Sequence, residues 1–85
     1  MSKIEIYSSR ICPYCVKAKA LFDQKGVEYE ELRIDLDTQL AIKMQELTGL
    51  RTVPQIFING QHVGGCDDLY ALEAQGKLDP LLKEK

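Results

Sequence analysis

Ile4-Glu5-Ile6-Tyr7-Ser8-Ser9-Arg10-Ile11-Cys12-Pro13-Tyr14-Cys15 decides the fold, because within it a strand pattern passes into a helix start that carries two thiols. Ile4 and Ile6 alternate with Lys3, Glu5 and Tyr7, the period of a half-buried strand, which is expected over Lys3–Ser8. Beyond Cys12, residues Tyr14, Ala18, Leu21 and Phe22 recur at helical spacing, and Lys25-Gly26 is a common helix exit. A helix is therefore expected over Pro13–Lys25. Pro13 then falls at the first helical position, where its missing N–H costs nothing, and Cys12 becomes the N-cap. Cys15 falls at the third position, one turn away and within disulfide reach of Cys12.

Outward from this junction, Val27–Ile34 suits a second strand joined to the first through the helix. Asp35-Leu36-Asp37-Thr38 supplies capping residues for a second helix, whose stripe Leu40, Met44 and Leu47 ends at Gly49. Gln55–Ile58 and Gln61–Val63 read as two strands about Asn59-Gly60, a type I′ hairpin with positive φ at both central positions. Gly64-Gly65 precedes Cys66-Asp67-Asp68-Leu69, where acidic residues favour the positive end of a third helix. Asp79-Pro80 marks a final short helix with Leu78, Leu81 and Leu82 on one side. The order β-α-β-α-β-β-α implies an α/β fold with a mixed sheet covered by helices. Tyr7 and Tyr29 read as sheet packing; the lysines of the first helix and Glu28, Glu30 and Glu31 read as solvated faces.

The whole chain, 85 residues, leaves room for one domain over residues 1–85, so function has to sit at the surface of one small unit. A net charge of -2 supplies no basic field for a phosphate backbone, which argues against nucleic-acid binding. No apolar run approaches the roughly 20 residues that span a bilayer, and Met1-Ser2-Lys3 leads into a strand without a signal-peptide core. A cytoplasmic, monomeric protein is expected. Three cysteines are too few and too unevenly placed for a secreted disulfide scaffold, so they either do chemistry or pack.

At the N-cap, a Cys12 thiolate would accept hydrogen bonds from the free amides of Tyr14 and Cys15 and feel the positive helix end. Its pKa is therefore expected below the free value of about 8.5. Cys12 is then the attacking sulfur, and Cys15, turned inward, stays protonated until it resolves a mixed disulfide. Arg10, Lys17 and Lys19 are the cations that could add positive potential. The competing readings are two small packed cysteines or half of a zinc site. No second Cys/His pair at zinc spacing exists, and His62, the remaining donor for a quartet with Cys12, Cys15 and Cys66, reads as a solvated surface imidazole.

Two further segments have the chemistry of a binding groove. In Thr52-Val53-Pro54 a cis proline beside a dithiol would leave the amide and carbonyl of Val53 able to pair with an extended peptide. In Gly64-Gly65-Cys66-Asp67 the glycines allow close approach, the helix amides can hold a carboxylate and Asp67 can accept from an ammonium; the plainer reading is a turn and cap with Cys66 as a packed small residue.

Together, Cys12-Pro13-Tyr14-Cys15, Thr52-Val53-Pro54-Gln55-Ile56-Phe57-Ile58 and Gly64-Gly65-Cys66-Asp67-Asp68-Leu69-Tyr70-Ala71-Leu72, in this order and spacing, resemble the dithiol glutaredoxin family over nearly the whole chain. The resemblance implies a thioredoxin-like fold, a mixed four-stranded sheet with helices on both faces. It implies no tightly bound cofactor and glutathione as co-substrate. Glutathionylated or disulfide-containing proteins, a ribonucleotide reductase being one candidate, would be the partners; the sequence does not name which. By the same resemblance Cys12 is the nucleophile and Cys15 the second thiol for protein disulfides. Tyr14 lines the glutathione groove, Val53 pairs with the cysteinyl part, Pro54 is the cis proline and Thr52 its support. Gly65, Cys66 and Asp67 hold the γ-glutamyl end, and Arg51 faces the glycyl carboxylate. Where many relatives carry Lys and Thr, this chain has Ser9 and Ile11, which leaves the tuning of Cys12 to the helix amides and Arg10. The implied potential is roughly −200 to −230 mV. A glutathione-ligated [2Fe–2S] carrier and a redoxin served by thioredoxin reductase are the alternative readings.

Overall fold

The structure is a computed structural model that describes residues 3–83; Met1 and Ser2, which lead into the first strand, lie outside it. The elements run β1 (Ile4–Ser8), α1 (Pro13–Lys25), β2 (Glu30–Arg33), α2 (Thr38–Thr48), β3 (Gln55–Ile58), β4 (Gln61–Gly64), α3 (Cys66–Ala74) and α4 (Leu78–Lys83). The sheet order is β2-β1-β3-β4, with β1 parallel to β2 and the other two pairings antiparallel. This is the mixed, thioredoxin-like α/β sheet that the resemblance implies.

The pleat of the central strands assigns the two faces. Ile4 and Ile6 of β1 pair across to Ile58 and Ile56 of β3, and this face meets Ala18, Leu21 and Phe22 of α1, Leu69 of α3 and Leu78 and Leu82 of α4. The alternate residues, Tyr7 and Phe57, point to the opposite face and meet Met44 of α2. Their rings lie edge to face at 5.8 Å. One face thus carries three helices and the other a single helix.

Local rules explain most boundaries. Asp37 caps α2 by accepting from the Gln39 amide at 2.9 Å. Asn59 and Gly60 take φ of 55° and 81°, the paired positive values that a type I′ turn requires. Differences from the sequence expectations have tertiary causes. The second strand is Glu30–Arg33 and not Val27–Ile34, because parallel pairing to β1 begins at Glu5 opposite Glu30; Val27 and Tyr29 pack on the core without joining the ladder. β1 begins at Ile4 and not Lys3, and β4 extends to Gly64. In α2 only Met44 of the expected stripe is buried and Leu47 is exposed, since this helix covers its sheet face alone. Tyr14, expected on the apolar side of α1, is 60% exposed; Cys15 takes the buried position.

Glu31 and Lys19 also depart from expectation. They do not form solvated faces: Lys19 Nζ lies 2.8 Å from Glu31 Oε2, and the same oxygen accepts from the buried Ser8 hydroxyl at 2.6 Å. The neighbours Lys17 and Lys25 are engaged as well. The Lys17 ammonium sits 5.0 Å over the Tyr70 ring, while Lys25 bridges Glu73 at 2.8 Å and Asp79 at 2.9 Å, tying α1 to α3 and α4.

Candidate active site

The β1–α1 junction is built by helix-start chemistry. Cys12 adopts an extended conformation at the N-cap with Pro13 behind it in the first turn, and the Cys15 N–H donates to Cys12 Sγ at 3.1 Å. Of the two amides expected on this sulfur, the Cys15 amide makes the contact. The Cys12 carbonyl accepts from Val16 N–H at 3.1 Å, so α1 is continuous from its first turn.

The two sulfurs occupy different environments. Cys12 is partly exposed, whereas Cys15 is 1% exposed and packed under the junction. The Cys15 thiol is pushed up to about 12, first by burial and then by its hydrogen bond to Cys12; the Ser9 amide and the Lys19 ammonium oppose the shift. Cys15 therefore rests as a neutral thiol. Burial likewise pushes the Cys66 thiol up, with Lys17 opposing.

The loop before β3 reaches the nucleophile. The Val53–Pro54 peptide bond is cis, and the Cys12 thiol donates to the Val53 carbonyl at 3.7 Å. That carbonyl is therefore already engaged in the reduced protein, and ionisation of Cys12 would release it. From here a groove of about 390 Å³ runs across to the start of α3. Its walls include Tyr14, Thr52, Val53, Pro54, Gly65, Cys66 and Asp67, which brings together seven residues that the sequence singled out. Cys12 lies at its end, linked to it through Val53, with Cys15 buried one turn below, and Arg51 is exposed outside its lining.

At the far end, Gly65 caps α3 and its N–H donates to Asp68 Oδ2 at 3.1 Å. One of the amides expected to hold a ligand carboxylate is thus already occupied by the protein's own carboxylate; the amides of Cys66 and Asp67 follow it in the first turn.

Sequence reasoning missed Gln55 and His62 as site residues. Gln55 is 2% exposed; its Nε2 donates to the Thr52 carbonyl at 3.0 Å and the Thr52 hydroxyl at 3.3 Å. Its Oε1 lies 2.8 Å from His62 Nε2. With the amide nitrogen spent on Thr52, that contact requires Nε2–H on His62 as donor. His62 also packs on Phe57, ring centroids 5.0 Å apart, so it is not a freely solvated imidazole. The available signal was a polar side chain at the buried start of a strand, directly after Pro54. Among the described residues, no group of three or more His, Cys, Asp or Glu side chains is arranged to hold a metal ion, and no helix is long and apolar enough to cross a membrane.

Comparison with known proteins gives consistent matches. The glutaredoxin family model matches residues 4–63. Glutaredoxin 3 of Escherichia coli (strain K12) is 57% identical over 83 residues, covering 98% of this chain and all of that protein. The buckwheat glutaredoxin–glutathione complex superposes with a TM-score of 0.88 at 37% identity, covering 95% of this chain and 76% of the other. The solution structure of glutaredoxin from Brucella melitensis gives 0.84 at 54% identity, covering 95% and 88%.

Proposed function

The chain belongs to the glutaredoxin family of glutathione-dependent thiol oxidoreductases, and on that premise we propose that Cys12 takes glutathione from protein mixed disulfides while Cys12 and Cys15 together reduce protein disulfides. The observation that carries this reading is the asymmetry of the pair. One sulfur is partly exposed and receives a helix-start amide; the other is buried one turn below it as a neutral thiol.

The Cys12 sulfur attacks the mixed disulfide, the protein thiol leaves, and Cys12 becomes glutathionylated. A second glutathione then attacks and regenerates the enzyme. With a protein disulfide, Cys12 forms the mixed disulfide and Cys15 displaces the substrate. Transfer of the Cys12 proton breaks the thiol bond to the Val53 carbonyl, so nucleophile activation and release of that backbone acceptor are one event.

The groove supports glutathione as the ligand. The Val53 backbone offers strand-like pairing for its cysteinyl part, with Thr52 and Pro54 shaping the loop and the Tyr14 ring as an exposed wall. The first-turn amides of α3 at Cys66 and Asp67, with the Asp67 carboxylate, suit the α-carboxylate and ammonium of the γ-glutamyl end, and Gly65 permits the approach. Arg51 is the cation available beyond the groove for the glycyl carboxylate. The cytosol, where glutathione is plentiful and thiols are kept reduced, suits this chemistry.

Turnover of a small glutathione mixed disulfide, coupled to glutathione reductase, tests the reading. Cys12→Ser is expected to abolish it and Cys15→Ser to spare it, with loss of protein-disulfide reduction alone. Equal loss in both variants, or turnover with thioredoxin reductase and none with glutathione, would contradict it.

A further inference from the structure

Cys15 has to become a nucleophile inside the protein. Its side chain is 1% exposed, and the groups facing it are Cys12, the Ser9 amide and the Lys19 ammonium. The four-residue spacing on α1 places Lys19 one turn beyond Cys15 on the same side of the helix. Lys19 is also clamped. Its Nζ lies 2.8 Å from Glu31 Oε2 on β2, that oxygen accepts from Ser8 Oγ at 2.6 Å, and Ser8 is fully buried at the end of β1. The other titratable groups around the clamp are Tyr29 and Arg33.

We propose that the Lys19–Glu31–Ser8 clamp makes Lys19 a positioning residue for the resolving step, holding a fixed positive charge beside Cys15 while it displaces substrate from Cys12. The inference rests on the dithiol reading above and deepens it. In the step itself, Cys15 gives up its proton to solvent and its thiolate attacks Cys12 Sγ. The Cys12–Cys15 bond forms as the Cys12–substrate bond breaks, and the substrate thiolate leaves with the electron pair and takes up a proton. Before the mixed disulfide forms, the hydrogen bond to Cys12 and the charge that Cys12 carries once ionised both keep Cys15 protonated. A mixed disulfide at Cys12 removes both influences. What remains in favour of the Cys15 thiolate is the Ser9 amide and the Lys19 ammonium, so the clamp exerts its effect at this stage of the cycle.

The test follows reduced protein mixed with an equimolar aromatic disulfide, dithiobis(nitrobenzoate), by stopped flow. The first coloured thiolate reports attack by Cys12; the second reports displacement by Cys15. Each unit by which Cys15 becomes more basic cuts its thiolate about tenfold but makes that thiolate about threefold more nucleophilic, a net loss of about threefold per unit. Lys19→Met is therefore expected to slow the second release at pH 7 by up to about threefold and to move its pH profile to higher pH; Lys19→Arg restores it. Glu31→Gln releases Lys19 from the clamp and is expected to slow the second release as well, leaving the first release unchanged. Slowing confined to the second release, with its pH profile moved up in Lys19→Met and restored by Lys19→Arg, is the signature, since loss of a merely structural ion pair would not move that profile. An unchanged second release in Lys19→Met, or equal slowing of the first and second releases, overturns the proposal alone. A wild-type protein that gives no first release overturns the functional reading and this inference with it.

Discussion

Gly64→Ala should damage the protein more than its position at the end of a four-residue strand suggests. Gly64 ends β4 at φ +121°, a conformation that side-chain-bearing residues rarely adopt, so backbone strain alone costs about 1–3 kcal/mol. A Cβ there would also collide with the Asp68 carboxylate, reaching Oδ2 and lying 2.8 Å from Cγ. Asp68 can rotate away, but only by leaving the Gly65 N–H that it accepts from at 3.1 Å, which adds roughly 1 kcal/mol for a lost helix-start hydrogen bond. The sum is about 2–4 kcal/mol, or a fall in Tm on the order of 10–30 °C for a domain of this size. Thermal unfolding followed by circular dichroism measures it. In an Asp68→Ala background the carboxylate collision and the cap are already gone and only the tight 3.0 Å approach to the Cβ of residue 68 remains, so the same substitution should cost little beyond the strain, a coupling of about 1 kcal/mol. A penalty below about 0.5 kcal/mol, or strict additivity of the two substitutions, would refute this reasoning.

Gln55→Leu removes the side chain that holds Thr52 and accepts from His62; it should cost about 1–2 kcal/mol and raise KM for glutathione more than it lowers kcat, read by denaturant titration and steady-state kinetics. An unchanged KM would show that the loop before Pro54 holds its shape without this network. The Glu31 carboxyl is held below its ordinary 4.5, first by Lys19 and then by Ser8. Because the folded value lies under the unfolded one, its stabilisation is complete above about pH 4.5 and is lost as pH falls through the folded value. Glu31→Gln should therefore be less stable than the parent at pH 7, by about 1 kcal/mol or less given its partial exposure, and the gap should close in acid; a gap that widens on acidification would contradict the assignment.

The local rules written into the sequence were enough for α1, the Asn59-Gly60 turn and the start of α3. Each rests on one or two residues whose backbone preferences leave little choice: Pro13 and Gly26, Asn59 and Gly60, Gly65 before two aspartates. What escaped is decided between elements. Glu31 reads as surface until the parallel register sets it opposite Ile6, within reach of Ser8 and Lys19. Gln55 reads as an ordinary strand residue until the fold buries it and turns its amide back onto Thr52. Leu47 fits a helical stripe, yet only Met44 finds a sheet to cover. Six of the seven groove residues were legible because they cluster in two short segments with unusual backbones, and Tyr14 because it lies between the two cysteines. Arg51 belongs to neither and stands outside the lining.

The difference between the two sulfurs is tested most directly by brief alkylation of the fully reduced protein with iodoacetamide at pH 7, with the modified residue identified by mass spectrometry. The expected result is a single adduct on Cys12, with Cys15, buried and held as a neutral thiol, modified only after unfolding. Equal and slow modification of both residues would contradict the division of labour on which the proposed catalysis depends.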